Sequence, residues 1–131
     1  MPIVQYGGPV TGLWAVQSYC LPGEPVRMRL FLQNRSPFPV TLFYPSSQRY
    51  DFLVSGMTGK VWQWSEDRFF NPAVTQVDLM PGQVLDYYEE WPLIDSAGNP
   101  VPPGIYRITG WSTFAGSASL PKPFVFVTVC G

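Results

Sequence analysis

Hydrophobic and polar residues alternate with a period of two through much of this chain, the pattern of half-buried strands. The clearest run is 26–33, where Val26, Met28, Leu30 and Leu32 face one way and Arg27, Arg29 and Gln33 the other. Phe31 alone is out of place, on the polar side. In 50–55, Tyr50, Phe52 and Val54 oppose Asp51, Leu53 and Ser55. After Gly56-Met57-Thr58-Gly59, Trp62 and Trp64 oppose Val61 and Gln63. A Gly-bounded turn between two alternating segments predicts a β-hairpin. Two indoles on one strand face, each burying roughly 150–250 Å², predict that this hairpin lies over the core.

The same periodicity predicts strands over 13–19, 40–44, 75–79, 84–91, 105–111 and 124–129. Leu85, Tyr87 and Trp91 face inward in 84–91, with Asp86, Tyr88 and Glu90 outward; Tyr106 and Ile108 face inward in 105–111. Turns fall at Leu21-Pro22-Gly23, Asn34-Arg35-Ser36-Pro37 and Met80-Pro81-Gly82-Gln83, and 92–104 is a proline-heavy loop. One helical turn is predicted over 65–72, with Ser65 as cap and Pro72 as stop. Residues 1–12 read as an N-terminal arm with at most one short strand, and 13–131 as a single domain. Eight or nine short strands, with turns every ten residues or so, predict an all-β, immunoglobulin-like antiparallel β-sandwich.

Composition narrows the function classes. Charged residues make up 13% of the 131 residues, about half the ~25% usual for soluble domains, while 46% are hydrophobic; a packed core is expected, not disorder. Fifteen prolines and twelve glycines suit many turns. The net charge of −1 comes from scattered residues with no basic stripe, so neither nucleic acid nor an anionic membrane is an expected partner. No run approaches the ~18 apolar residues of a membrane span, and the N-terminus lacks a basic start and an apolar signal run. The expected setting is cytoplasmic, or secreted if a signal peptide preceded what is written here. Cys20 and Cys130 end the first and last strands, which a sandwich can bring together as a disulfide; two free thiols in a reducing cell are the favoured reading.

Little catalytic chemistry is available. The chain has no histidine, which removes Ser-His-Asp and Cys-His catalysis and nearly all zinc sites. Glu89 and Glu90 are adjacent on a strand and point to opposite faces, so they cannot act as a paired acid and base. Asp86, Tyr88 and Glu90 share a face that reads as solvated surface in preference to a cation site. Asp95-Ser96-Ala97-Gly98-Asn99 lacks the full ligand series of a calcium loop and reads as a turn. Asn34-Arg35-Ser36 is a glycosylation sequon, relevant only to a secreted eukaryotic chain. No metal or cofactor is expected, and no Gly-rich loop precedes a helix for nucleotide binding. Phe52, Trp62, Trp64, Phe70, Trp91 and Tyr106 read as core in preference to a ligand groove. Trp14, Phe31, Phe69, Tyr88, Trp111 and Phe114 are less clearly inward, and exposed aromatics among them would mark a protein-binding surface or a homodimer seam.

Several of these residues fall in a recognisable order: Asn34; Gln48-Arg49-Tyr50-Asp51-Phe52; Gly59-Lys60-Val61-Trp62-Gln63-Trp64-Ser65; Phe70; Leu79-Met80-Pro81-Gly82; Glu90-Trp91; and Pro103-Gly104-Ile105-Tyr106. Over about 26–111 the chain resembles the BsuPI family, the bacterial intracellular proteinase inhibitor domain. Ser47 stands where the family usually has Gly. The resemblance implies a non-enzymatic protein whose partner is an intracellular, subtilisin-type serine protease. Such an inhibitor needs a rigid exposed loop that loses little entropy on binding. The expected loop is 66–71, with Arg68, Phe69 and Phe70 as contact candidates, Phe70 more readily read as packing. The stiff 92–103 segment is a second candidate. Gln48, Arg49, Tyr50, Asp51, Trp62, Trp64, Trp91 and Tyr106 are expected to be scaffold. The competing reading is a non-inhibitory immunoglobulin-like module for protein binding or assembly.

Overall fold

The computed structural model describes residues 9–16 and 23–130. Nine strands are present among them: β1 (Pro9–Val16), β2 (Val26–Asn34), β3 (Val40–Tyr44), β4 (Tyr50–Gly56), β5 (Gly59–Gln63), β6 (Thr75–Leu79), β7 (Val84–Trp91), β8 (Gly104–Ser112) and β9 (Phe124–Val129). Short 3₁₀ turns cover Trp64–Asp67 and Ser117–Ser119. The strands form sheets in the orders β1-β2-β7, β3-β6 and β5-β4-β8-β9, and every ladder is antiparallel.

The first and third sheets face each other as an antiparallel β-sandwich. Between them lie Val26, Met28 and Leu30 of β2, Trp91 of β7, Phe52 and Val54 of β4, Tyr106 and Ile108 of β8, and Val127 and Val129 of β9. Each set repeats at every second position, so one buried face per strand suffices to build the core. A second cluster of Leu32, Leu42, Tyr44, Leu79 and Phe114 lies under the small β3-β6 sheet. Phe114, ambiguous in the sequence, is buried there; Phe31, on the polar face of β2, covers Gly12, where a Cβ would come within 2.3 Å of its ring.

Three expectations change at the edges of elements. The strand expected from Leu13 begins at Pro9, which pairs with Asn34; 17–19 of the expected 13–19 strand lie outside the described residues. The β5 strand ends at Gln63, so Trp64 does not share a strand face with Trp62 but starts a 3₁₀ turn. A bulge between Val54 and Ser55 puts Val61 out of register, and both Val61 and Trp62 pack half-buried against the core. The helical turn stops at Asp67, short of Pro72, because Arg68 is already extended (φ −117°, ψ 148°).

Asn34 cannot serve as a glycosylation site in this fold. Its side chain is fully buried, its amide donates to Phe38 O (2.8 Å) and Leu79 O (2.9 Å), and its Oδ1 accepts from Ser36 N–H (2.9 Å). Cys130 is disulfide-bonded, against the favoured reading of free thiols; Cys20 lies outside the described residues.

Candidate functional site

One buried carboxylate ties the two most distinctive segments of the chain together. Asp51 sits on the β4 face opposite Phe52, where the alternation predicts solvent, yet it is almost wholly buried. Its oxygens accept from Phe52 N–H (2.9 Å), Gln63 Nε2 (2.7 Å), Ser65 N–H (3.1 Å) and Ser65 Oγ (2.6 Å). A carboxylate so placed satisfies the Ser65 N–H at the start of the Trp64–Asp67 turn and complements its partial positive charge. The Gln-Arg-Tyr-Asp-Phe segment therefore holds the Trp-Gln-Trp-Ser segment, and with it the start of 66–71.

The other scaffold candidates serve the same corner. Gln48 Nε2 donates to Tyr50 O (3.0 Å), and Gln48 O accepts from Thr113 Oγ1 (2.7 Å). The Arg49 guanidinium lies 4.4 Å from the Tyr44 ring centre, and its carbonyl accepts from Thr113 N–H (3.2 Å). Trp91 is fully buried; its Nε1–H donates to Ile94 O (2.9 Å), and Tyr106 meets its ring edge-on at 5.4 Å.

An aromatic column runs from the core to this loop. Tyr87 stacks on Tyr50 (4.5 Å between ring centres), Tyr50 on Trp64 (4.7 Å), and the Arg68 guanidinium caps Trp64 at 4.3 Å. Glu89 lies on the inward face of β7 with Tyr87 and accepts the Tyr50 hydroxyl. Burial first, and then the bond to Glu89 and its charge, pushes the Tyr50 phenol above its ordinary value, with Arg68 opposing. Burial, followed by the neighbouring Tyr44, raises Tyr87 in the same direction, and burial raises Tyr106. In each case the unfolded phenol ionises first, near its ordinary pKa of about 10. Stability is therefore complete below that pH and falls as pH rises above it. Urea midpoints followed from about pH 8 to about pH 11.5 should hold level to about 10 and then drop, less steeply in Tyr87→Phe. A flat profile to the alkaline end contradicts this account.

The candidate contact residues separate clearly. Arg68 is tied down: its Nε donates to Trp64 O (3.1 Å) and its N–H to Ser65 O (3.2 Å). Phe70 packs half-buried against Trp64, 5.8 Å between ring centres. Phe69 points away and is 90% exposed. Both ends of the loop are held. At the far end Ser47 N–H donates to Asn71 O (2.8 Å), and Asn71 N–H donates to Ser47 Oγ (2.8 Å). At the near end Glu66 pairs with Lys60 (2.5 Å) and accepts Ser96 Oγ (2.8 Å), and these two bonds, Lys60 first, hold its carboxyl below the usual range. Ser96 N–H also donates to Val61 O (2.9 Å), so the 92–103 segment is bonded to β5 and to the start of the loop.

The two weighed cation sites are occupied by the protein's own groups. Asp95 Oδ1 accepts from Ala97 N–H (3.0 Å) and Asn99 N–H (2.9 Å), closing a turn, and Asp86 pairs with Arg29. Among the described residues no cluster of three metal-ligating side chains exists. The alternation and turn signals assign no tethering role to Ser47, Glu66, Asn71, Glu89 or Ser96. That role has no local signal, because the bonds Ser47–Asn71, Glu66–Ser96 and Tyr50–Glu89 span 24, 30 and 39 positions.

A model of the BsuPI family, described as intracellular proteinase inhibitor, matches residues 15–116. No curated protein matches the chain. Among solved structures, a β-glucosidase involved in saponin metabolism from intestinal bacteria is similar over 97% of this chain and 17% of its own, with a TM-score of 0.51 and 14% identity. The β-glucosidase EmGH1 from Erythrobacter marinus is similar over 97% of this chain and 16% of its own, with a TM-score of 0.55 and 15% identity. The chain thus spans about a sixth of the length of either enzyme, and the likeness is one of fold.

Proposed function

The chain belongs to the BsuPI family of intracellular proteinase inhibitors, and we propose that it inhibits a subtilisin-type serine protease by presenting the 66–71 loop to the active-site cleft. The observation that carries this reading is Phe69, 90% exposed on a loop whose two ends are bonded to the sandwich. A cleft that binds extended substrates adds the incoming chain as a strand, and Arg68 already has extended dihedrals. A loop held before binding loses less conformational freedom on binding. Phe69 supplies a large apolar anchor. Arg68, with its guanidinium spread over Trp64, stiffens the loop instead of offering a charge to a specificity pocket. The target is accordingly a protease that accepts a large apolar side chain.

The family description sets its members inside the cell, which is where the proposed encounter occurs. The competing reading, a non-inhibitory immunoglobulin-like binding module, draws on the similar folds that make up a small share of two larger enzymes. Titrating a subtilisin-type protease with the purified chain, while following hydrolysis of a small substrate, separates the two. Stoichiometric loss of activity is the expected result; no effect, or steady proteolysis of the chain, favours the module. Because disulfides are rare in cytosolic proteins and Cys130 is bonded, oxidised and reduced protein should both be titrated. Equal inhibition is expected, since the bonds that hold the loop do not involve Cys130.

A further inference from the structure

A groove of about 590 Å³ lies between the turn joining β4 to β5 and the 92–104 segment. We propose that it is a second contact for the same protease, receiving an uncharged, apolar segment that protrudes beside the active-site cleft; this deepens the inhibitor reading and rests on it. The walls are apolar: Met57, Val61, Val101, Pro102, Pro103 and Ile105. Met57 is fully exposed at the hairpin tip, a position that turn chemistry usually gives to a polar residue, and Ile105 is 65% exposed. Neither belongs to a core cluster among the described residues.

Several of the polar groups at the groove are engaged within the chain, which favours an apolar occupant. Lys60 is paired with Glu66, Ser96 bonds Glu66 and Val61, and Asp95 closes its own turn. The Tyr106 hydroxyl donates to Pro102 O (2.6 Å). A charged segment entering here would lose hydration against the apolar walls, whereas an apolar one covers Met57 and Ile105. The rim is also stiff, since prolines fix φ at Pro102 and Pro103, so little order is lost on filling it.

Area and continuity identify the partner. A stable complex buries roughly 800 Å² on each side, contributed by about 20–30 residues, and a loop the size of 66–71 supplies only a fraction of that. Glu66 belongs to both surfaces: it opens the loop and its carboxylate bonds Lys60 and Ser96 on the groove. A protease seated on the 66–71 loop therefore reaches the groove by way of Glu66.

Met57→Asp and Ile105→Asp place a charge in the groove at exposed positions, and Phe69→Ala is measured beside them against the same subtilisin-type protease. Each groove variant is expected to raise the inhibition constant at least tenfold, chiefly through faster dissociation, with an unchanged urea midpoint. Met57→Asp lies in a solvent-facing turn and remains informative if Ile105→Asp fails to fold. Wild-type inhibition by Met57→Asp, with Phe69→Ala weakened, overturns the groove and leaves the loop reading intact. Weakened groove variants with an unaffected Phe69→Ala support the groove and overturn the loop. A wild-type chain that does not inhibit overturns both.

Discussion

Asp51→Ala is expected to destabilise the domain by roughly 3–5 kcal/mol, the sum of two backbone N–H groups stripped of their acceptor at about 1–3 kcal/mol each and the lost side-chain bonds. The donors concerned are Phe52 N–H and Ser65 N–H, with Gln63 Nε2 and Ser65 Oγ beside them. Most of this loss comes from what remains after the carboxylate is removed. Water cannot readily replace it, because Asp51 is almost wholly buried. Asp51→Asn keeps the shape but turns one acceptor into a donor facing donors, so it should fall between wild type and alanine. Urea unfolding followed by tryptophan fluorescence reads the effect; an Asp51→Ala midpoint equal to wild type refutes the assignment. Inhibition should weaken in parallel, since the start of the loop is released along with Ser65.

Phe69→Ala is expected to do the reverse, weakening inhibition while leaving stability alone. A side chain so exposed contributes within about 0.5 kcal/mol to folding. As a central anchor it falls among the residues whose truncation costs 2 kcal/mol or more of binding, which is a rise of roughly 30-fold or more in the inhibition constant. Arg68→Ala should weaken inhibition less, by loosening the loop over Trp64, and the double variant should inhibit no protease at stoichiometric concentrations. Full inhibition by the double variant removes the 66–71 loop from the contact surface. The two predictions are complementary: one residue is buried and holds the loop, the other is exposed and uses it.

Much of the scaffold was legible before any coordinates. The alternation of Val26, Met28, Leu30 and Leu32 names the buried face of β2, and Val40–Tyr44 and Phe124–Val129 were recognisable at their observed limits. Leu79, Trp91, Tyr106 and Ile108 were likewise recognisable as inward. These follow because the two faces of a strand are set by neighbouring residues alone. The breaks were harder to see. Trp64 continues the alternation of β5 in sequence, yet the chain leaves the sheet at Gln63 because a carboxylate from β4 waits to receive Ser65. That bond spans fourteen positions, and no local pattern encodes it.

By itself, the sequence determined the strands, the facing of their side chains, the absence of histidine chemistry and the order of motifs that marks the family. The tertiary structure decided what those motifs are for. Phe69 and Phe70 are identical neighbours; the sequence favours packing for Phe70 and leaves Phe69 open. Trp64, held in place by Tyr50 and Asp51, takes Phe70 against its ring and leaves Phe69 to solvent. Likewise Asp51, polar and on the outward register, becomes the buried tie of the hairpin only because Gln63 and Ser65 fold over it. Facing along a strand is a property of adjacent residues, whereas exposure and partnership depend on which distant segments arrive.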